Sequence, residues 1–272
     1  MEQAKTIGVI SIKGGVGKTT TAVNIGSALS EMGKRVLLVD ANYSAPNLAL
    51  HLGLVKPEAA TIHDVLTGRA PIEKAIYEYE GGFHFIPGSL NPQYGKIDIF
   101  MLKKKLKEIK SNYDVILIDS SPTLNNELLS TIIASDELVV VTSPDYPTLS
   151  CTIKAVKVAK QKNTPIAGII LNKGRNKSFE LSTDDIEELS DVPVIAKVND
   201  DVRIIEALSE ATPSVILNPR SSSSIEYKKL AAALVGEEYV DNSFMAKLKN
   251  LLPFKKEKHE INRLLLSHKK KK

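Results

Sequence analysis

The chain is poor in the residues and segments that mark disulfide-linked, secreted or membrane-spanning proteins. It contains one cysteine and no tryptophan in 272 residues, and aromatic residues make up 5%. A single cysteine, Cys151, excludes an internal disulfide framework. No apolar run approaches the length that spans a bilayer, and the N-terminus lacks a signal-peptide pattern. With 43% hydrophobic and 25% charged residues, the composition predicts a cytosolic globular protein.

Positive charge is concentrated at the C-terminal end. The formal net charge is +4, but residues 241–272 alone carry +7, from ten Lys/Arg and three Asp/Glu. Residues 1–240 therefore carry −3 by the same count. We predict a globular domain over residues 1–240, followed by a basic tail over residues 241–272.

Apolar runs alternate with helical patterns through the body of the chain. Buried strands are predicted at residues 6–12, 35–39, 115–118, 138–141 and 166–171, with a shorter one at 83–86. Helices are predicted at residues 19–32, 100–110, 125–134, 149–162, 184–190 and 224–235, the last with Ser223 and Glu226 at capping-box spacing. The alternation predicts an α/β fold, a doubly wound and mostly parallel sheet flanked by helices. Its ligand is expected at the carboxyl ends of the strands.

A glycine-rich segment follows the first predicted strand and opens the first predicted helix. Residues 13–21 read Lys-Gly-Gly-Val-Gly-Lys-Thr-Thr-Thr. Glycines let backbone N–H groups turn around a phosphate, Lys18 adds positive charge, and the Thr19 hydroxyl is placed to ligate Mg²⁺. Because strand, loop and helix occur in this order, the segment predicts a P-loop rather than a plain turn. The candidate nucleotide-binding residues are Gly14, Gly15, Val16, Gly17, Lys18, Thr19 and Thr20.

Two further predicted strands end in an aspartate. Asp119 follows four apolar residues and is placed to hold a water on Mg²⁺, so Thr19 and Asp119 are the candidate metal-site residues. Asp40 ends the strand after the first helix and is followed by Ala41 and Asn42. The Asn42 amide can accept a hydrogen bond from water, but it carries no charge and is no useful base.

These motifs resemble the MinD/ParA family of deviant-Walker-A P-loop ATPases, closest to the MinD type, over about residues 5–236. In that family the lysine matching Lys13 reaches across a two-fold interface to the partner subunit's phosphates. The resemblance implies the P-loop NTPase fold, ATP and Mg²⁺ as cofactors and a homodimer in the ATP state. It marks Lys13, Lys18, Asp40 and Asn42 as candidate catalytic residues. A lone cysteine also excludes the paired cysteines of the family's iron–sulfur branch.

Three further positions are interpreted through the resemblance. The family usually has Asp-x-Asp where this chain has Asp40 and Asn42, which implies slow hydrolysis. The alternative is that Asp40 or a reorganised water network compensates. Asn172 matches the asparagine that reads the adenine edge, and Pro219 lies in a segment that resembles the second base-contacting loop.

The tail carries an amphipathic pattern that suits an anionic membrane surface. Its candidate membrane-binding residues are Phe244, Met245, Leu248, Leu251, Leu252 and Phe254. The pattern resembles the C-terminal membrane-targeting helix of MinD-type proteins, and residues 261–266, followed by four lysines, are expected to extend the contact. Two alternatives remain. Residues 244–252 dock on the core as a last helix while the lysines are only solvated, or the lysines bind DNA without sequence specificity.

The resemblance implies a cytoplasmic protein with reversible peripheral association with the inner face of the cell membrane. Its expected function is an ATP-dependent dimerisation switch that positions a cell-division, motility or partition component. A chromosome-partitioning ATPase of the ParA type, or a nearly hydrolysis-silent scaffold, are the alternatives. The sequence identifies neither the cargo nor a protein activator.

Overall fold

An eight-stranded sheet forms the centre of the fold in a computed structural model, which describes residues 3–90, 97–98, 100–240 and 256–271. The strands are β1 (Lys5–Ile10), β2 (Val36–Ala41), β3 (Tyr77–Glu78), β4 (His84–Ile86), β5 (Val115–Ser120), β6 (Glu137–Thr142), β7 (Ile166–Gly174) and β8 (Val194–Asn199). Their order is β3-β4-β2-β5-β1-β6-β7-β8, and neighbours are parallel except β3 and β4. The predicted α/β fold with a mostly parallel sheet is confirmed.

Helices cover both faces of the sheet. They are α1 (Lys18–Glu31), α2 (Leu48–His51), α3 (Ile62–Leu66), α4 (Met101–Ile109), α5 (Asn126–Ala134), α6 (Tyr146–Gln161), α7 (Thr183–Ser190), α8 (Val202–Ser209), α9 (Ser214–Leu217), α10 (Ser222–Leu234) and α11 (Lys258–Lys270). Within the described ranges, each helix is too short or too polar to cross a bilayer.

Burial on both faces explains why the strand sequences are continuous apolar runs. In β5, Val115 and Leu117 join the core cluster under α1, whereas Ile116 and Ile118 join a cluster on the opposite face. A strand that alternates between two buried faces needs an apolar residue at every position. The buried charge near its end, Asp119, therefore stands out as a candidate for function.

The chain order places the functional ends of three strands side by side. β1 lies between β5 and β6, and β2 lies beyond β5. Asp40 of β2 is the register partner of Asp119 of β5. The loop after β1 and the carboxyl ends of β2 and β5 consequently meet at one edge of the sheet, where α/β folds bind ligands.

The start of α10 differs from the prediction. Ser221 is the N-cap, and its Oγ accepts a hydrogen bond from the Ser224 N–H at 3.1 Å. The predicted capping box of Ser223 and Glu226 is therefore wrong. Glu226 instead turns away from the helix terminus and pairs with Arg263.

The last helix, α11, packs on β8 and α10. Arg263 and Glu226 form a buried ion pair, and Asn262 Nδ2 donates to the Val194 carbonyl at 2.9 Å. Leu266 joins the core cluster on the α1 side. The expectation that Leu266 extends a membrane contact is thus wrong, because the domain covers it. Ile261 and Leu265 of the same stretch are exposed, so their membrane contact stays a prediction.

The amphipathic segment itself lies outside the described residues. Its six candidate membrane-binding residues, Phe244, Met245, Leu248, Leu251, Leu252 and Phe254, fall within residues 241–255. Its membrane role stays a prediction, and so does the domain boundary at residue 240.

Candidate functional site

The glycine loop joins β1 to α1 and is closed by an asparagine from β7. Gly15 and Gly17 have φ of +77° and +93°, the left-handed region that favours glycine. A Cβ on Gly17 would lie 2.3 Å from Nδ2 of Asn172. Asn172 Nδ2 donates to the Val16 carbonyl at 2.8 Å. Position 17 therefore requires glycine both for its backbone conformation and for this close approach.

A cavity of about 330 Å³ opens beside the loop, within the range of small-molecule sites. Its lining includes eight of the predicted site residues: Gly14, Gly15, Gly17, Lys18, Thr19, Thr20, Asn42 and Asn172. The cavity is thus bounded by the first turn of α1, by the loop after β2 and by the end of β7. Val16 is absent from the lining, and its carbonyl accepts the hydrogen bond from Asn172.

Lys18 begins α1 with 7% of its surface exposed. Burial lowers the pKa of its ammonium group, and the charge of Asp119 opposes that change. A poorly hydrated cation at a helix N-terminus favours an anionic ligand, since the helix dipole and the free N–H groups act in the same direction. Lys18 is therefore suited to a phosphate group.

Thr19 and Asp119 form an oxygen-rich corner of the site. Thr19 Oγ1 lies 2.5 Å from Asp119 Oδ2. Burial raises the pKa of Asp119 to about 6, while the Thr19 hydrogen bond and the charge of Lys18 act against the rise. Among the described residues, Asp119 Oδ1 has no hydrogen-bond partner. A spare buried carboxylate oxygen beside a hydroxyl oxygen fits Mg²⁺, which prefers hard oxygen ligands.

Asp40 lies behind the cavity and binds its own loop. Its Oδ1 accepts from the Asn42 N–H at 3.1 Å, and its Oδ2 accepts from the N–H groups of Asn47 and Leu48 at 3.0 Å each. Burial and the charge of Asp119 raise its pKa to about 8, against the effect of these three hydrogen bonds. Asp40 therefore organises the loop after β2 and is absent from the cavity lining.

Lys13 lies outside the cavity of its own chain. Its residue is exposed, its N–H donates to Ser11 Oγ at 3.2 Å, and it is absent from the cavity lining. Burial acts to raise the pKa of the nearby Asp145 carboxyl. Hydrogen bonds from Ser143 and Thr148 and the charge of Lys13 outweigh burial, so that its pKa is lowered. Lys13 is thus exposed and does not line the cavity of its own chain.

One wall of the cavity comes from a segment that the sequence analysis did not select. It consists of Asn199 at the end of β8, Asp200 and Asp201 after it, and Ile204, Ile205 and Leu208 of α8. Strand β8 was missed because Lys197 interrupts its apolar run. Pro219 is exposed and absent from the cavity lining, so its base-contacting role stays a prediction.

The parallel sheet, the glycine loop at a helix N-terminus and the Thr19–Asp119 corner define a P-loop nucleotide-binding protein. The family model described as the AAA domain matches residues 4–167. An uncharacterized ATP-binding protein of Methanocaldococcus jannaschii is 35% identical over 237 residues, covering 87% of this chain and 89% of the relative. The chain belongs to the MinD/ParA family of P-loop ATPases.

Solved structures of MinD proteins share the fold over most of the chain. The septum site-determining protein MinD of Pyrococcus horikoshii, complexed with Mg-ADP, superposes with a TM-score of 0.80 at 33% identity, covering 90% of this chain and 98% of that one. The MinD of the MinC:MinD cell division complex of Aquifex aeolicus has a TM-score of 0.79 at 28% identity, covering 88% and 99%.

Proposed function

We propose that this chain is an ATP-dependent dimerisation switch that controls association with a membrane surface. The observation that carries the proposal is the position of Lys13, which is exposed beside the P-loop and outside its own cavity. A cation held there is available to the phosphates of a second subunit. Relatives with the same fold include septum site-determining and chromosome-partitioning proteins, which supports a role in spatial positioning.

Within one subunit, four side chains have separate roles in binding the phosphates, the Mg²⁺ ion and the base of the nucleotide. Lys18 and the loop N–H groups bind phosphate, and Thr19 and Asp119 hold Mg²⁺. When bound, Mg²⁺ supplies positive charge that neutralises the phosphates. Asn172 closes the loop through Val16 and lines the cavity, which supports its proposed contact with the base through the remaining atoms of its amide.

We expect Lys13→Ala to spare ATP binding and to abolish ATP-dependent dimers, because the lysine is exposed and does not line its own cavity. Light scattering after size exclusion reports dimers, and titration with a fluorescent ATP analogue reports binding. Lys162→Ala, at the exposed end of α6, is the matched control. Dimers that persist without Lys13 would refute the cross-subunit role.

The proposed surface for the dimer is an anionic membrane. One short amphipathic segment binds a membrane marginally, whereas two on one dimer gain from effective concentration. The protein then alternates between the cytoplasm and the inner face of the cell membrane. The sequence pattern of residues 244–254 supports this step.

Co-sedimentation with anionic vesicles in ATP and in ADP tests the membrane step. The variant is full-length Leu248→Glu/Leu251→Glu, because truncation at residue 240 would also remove α11 and expose the Glu226 carboxylate. We expect vesicle binding by the parent, stronger in ATP, and its loss in the variant. Salt-sensitive binding to DNA without binding to vesicles would replace this proposal with a partitioning role of the ParA type.

Slow hydrolysis is part of the proposal. Asn42 lines the cavity at the position where the family usually has a second aspartate, and an amide is no base. Single-turnover hydrolysis as fast as in ordinary MinD-type enzymes would contradict it. No detectable turnover, together with intact ATP-dependent dimers, would favour a nucleotide-dependent scaffold. A protein activator and a cell-division, motility or partition cargo complete the proposed cycle.

A further inference from the structure

The loop between β2 and α2, residues 42–47, is closed at its first residue by a side chain. Asn42 Nδ2 donates to the Ala45 carbonyl, and the Ala45 N–H donates to the Asn42 carbonyl at 3.2 Å. The same turn is therefore closed once by the backbone and once by the amide side chain. We call residues 42–47 the β2–α2 loop.

The other end of the β2–α2 loop reaches the predicted magnesium corner. Asn47 Oδ1 lies 2.9 Å from Thr19 Oγ1, and the Asn47 N–H donates to Asp40 Oδ2. The Asn47 carbonyl also receives His51 Nδ1 at 3.0 Å. Only Pro46 thus lies between the turn that Asn42 closes, residues 42–45, and Asn47, whose side chain contacts the Thr19 hydroxyl.

Chemistry at position 42 distinguishes asparagine from aspartate. The side-chain amide has N–H groups to give, whereas an ionised carboxylate only accepts hydrogen bonds. A carboxylate here would face the Ala45 carbonyl oxygen, two residues from the buried Asp40. Replacing the amide would therefore remove a donor and place an unpaired charge in a site that is 6% exposed.

We propose that Asn42 is a positioning residue that acts through Asn47. Its amide closes the β2–α2 loop so that Asn47 meets Thr19 and the magnesium side of the nucleotide site stays closed. Compared with the aspartate that the family usually has, Asn42 lacks the carboxylate but adds a hydrogen-bond donor that closes the loop. This inference rests on the proposed function, because it assigns Asn42 a part in holding Mg²⁺-nucleotide.

The surrounding contacts allow the loop to change without loss of the fold. The Tyr43 hydroxyl lies 3.2 Å from Ser130 Oγ, and the Tyr43 carbonyl receives His63 Nε2 at 2.9 Å. Pro46 packs on the backbone of Gly88, where an added Cβ would come within 2.3 Å. Because these contacts do not involve the Asn42 side chain, the effect of Asn42 substitutions is expected to be local.

The test is the dissociation rate of a fluorescent ADP analogue from the full-length protein, with Mg²⁺ and with chelator. We expect Asn42→Ala to speed dissociation about 5-fold in Mg²⁺, the worth of one modest hydrogen bond, and Asn42→Asp to speed it more. Neither should change the rate in chelator. Asn112→Asp adds the same charge at the exposed amino-end edge and should leave both rates unchanged.

A double variant separates positioning from an independent contact. If Asn42 acts through Asn47, then Asn42→Ala/Asn47→Ala should dissociate no faster than Asn47→Ala alone. Melting temperatures without nucleotide, close to that of the parent, show that the variants fold. Unchanged dissociation in both Asn42 variants, or fully additive effects in the double variant, would overturn the inference.

Two outcomes keep the inference separate from the proposed function. If the parent protein binds no nucleotide, or binds it equally well with and without Mg²⁺, the proposed function fails and the inference fails with it. If the parent shows Mg²⁺-dependent retention but Asn42→Asp retains nucleotide equally well and hydrolyses it faster, the inference alone fails. That second result would return position 42 to a purely hydrolytic role.

Discussion

The nucleotide cavity and the contact between α11 and the domain both bury carboxylates, but they compensate the charge differently. Next to the cavity but outside its lining, Asp40 and Asp119 are buried side by side on neighbouring strands, and burial raises the pKa of both. At the α11 contact, Glu226 receives the guanidinium of Arg263, the Lys197 N–H at 3.2 Å and, at 3.5 Å, His259 Nε2.

The difference separates a ligand site from a structural contact. A buried charge with incomplete compensation is costly in the empty protein and gains when a cation arrives. A buried pair with its hydrogen bonds made holds two elements together and offers nothing to a ligand. Mutations should therefore act in opposite directions on the stability of the empty protein in the two regions.

The largest effect is expected at the α11 contact. Glu226→Gln leaves the Arg263 charge buried without its partner and should cost about 4 kcal/mol in the free energy of unfolding. Glu226→Leu/Arg263→Met should recover most of that loss. Urea unfolding measures both, with Lys34→Ala in the partly exposed pair with Glu237 as a control worth less than about 1 kcal/mol. A loss of less than about 1 kcal/mol in the free energy of unfolding for Glu226→Gln would contradict the proposed difference between the two regions.

An effect of opposite sign is expected at the cavity. Without Mg²⁺, Asp119→Asn removes a buried charge next to Asp40 and should raise the free energy of unfolding by about 2 kcal/mol near pH 8. The same change should abolish the stabilisation by Mg²⁺-nucleotide. Thermal melts with and without ligand measure both quantities. A variant that is less stable when empty would contradict the charge argument.

The pH dependence of the metal-free protein follows from the same two aspartates. Their folded-state pKa values, about 8 and about 6, lie above the ordinary value of 3.8. The stability that they contribute is therefore fully present below about pH 4 and is lost as the pH rises through 6 to 8. Asp119→Asn should flatten this loss, which unfolding curves across that range would show.

The smallest effect is expected from His259 in α11, with the opposite pH sense. Burial lowers its pKa below 6.5; Arg263 acts in the same direction, whereas Glu226, Glu257 and Glu260 act against it. The stability that neutral His259 contributes is present above pH 6.5 and is lost as the pH falls through its lowered pKa. His259→Gln should weaken this acid-side loss in urea unfolding below about pH 6.5. If the fall in the free energy of unfolding below about pH 6.5 is the same in His259→Gln, groups other than His259 cause it.

Features set by local residue patterns could be predicted from the sequence, whereas features that depend on contacts between distant parts of the chain could not. Strands such as β5 and the P-loop between β1 and α1 were predictable because burial on both faces and a tight phosphate-type turn impose local residue patterns. Strand β8 was missed because Lys197 interrupts its apolar run. In the structure this lysine is partly buried and is still part of the strand. The capping box at Ser223 failed because Ser221 is the N-cap of α10 and Glu226 pairs with Arg263, 37 residues further along the chain.

By itself, the sequence determined the alternating α/β order, the glycine loop with Lys18 and Thr19, and the aspartates at two strand ends, since each follows from periodicity or from local backbone geometry. Only the tertiary structure decided that Lys13 lies outside its own cavity and that Asp40 binds the β2–α2 loop. It also decided that Asn42 closes that loop and that α11 packs on β8. These depend on which strands become neighbours and on which buried charges find partners, and neither is written in any local pattern.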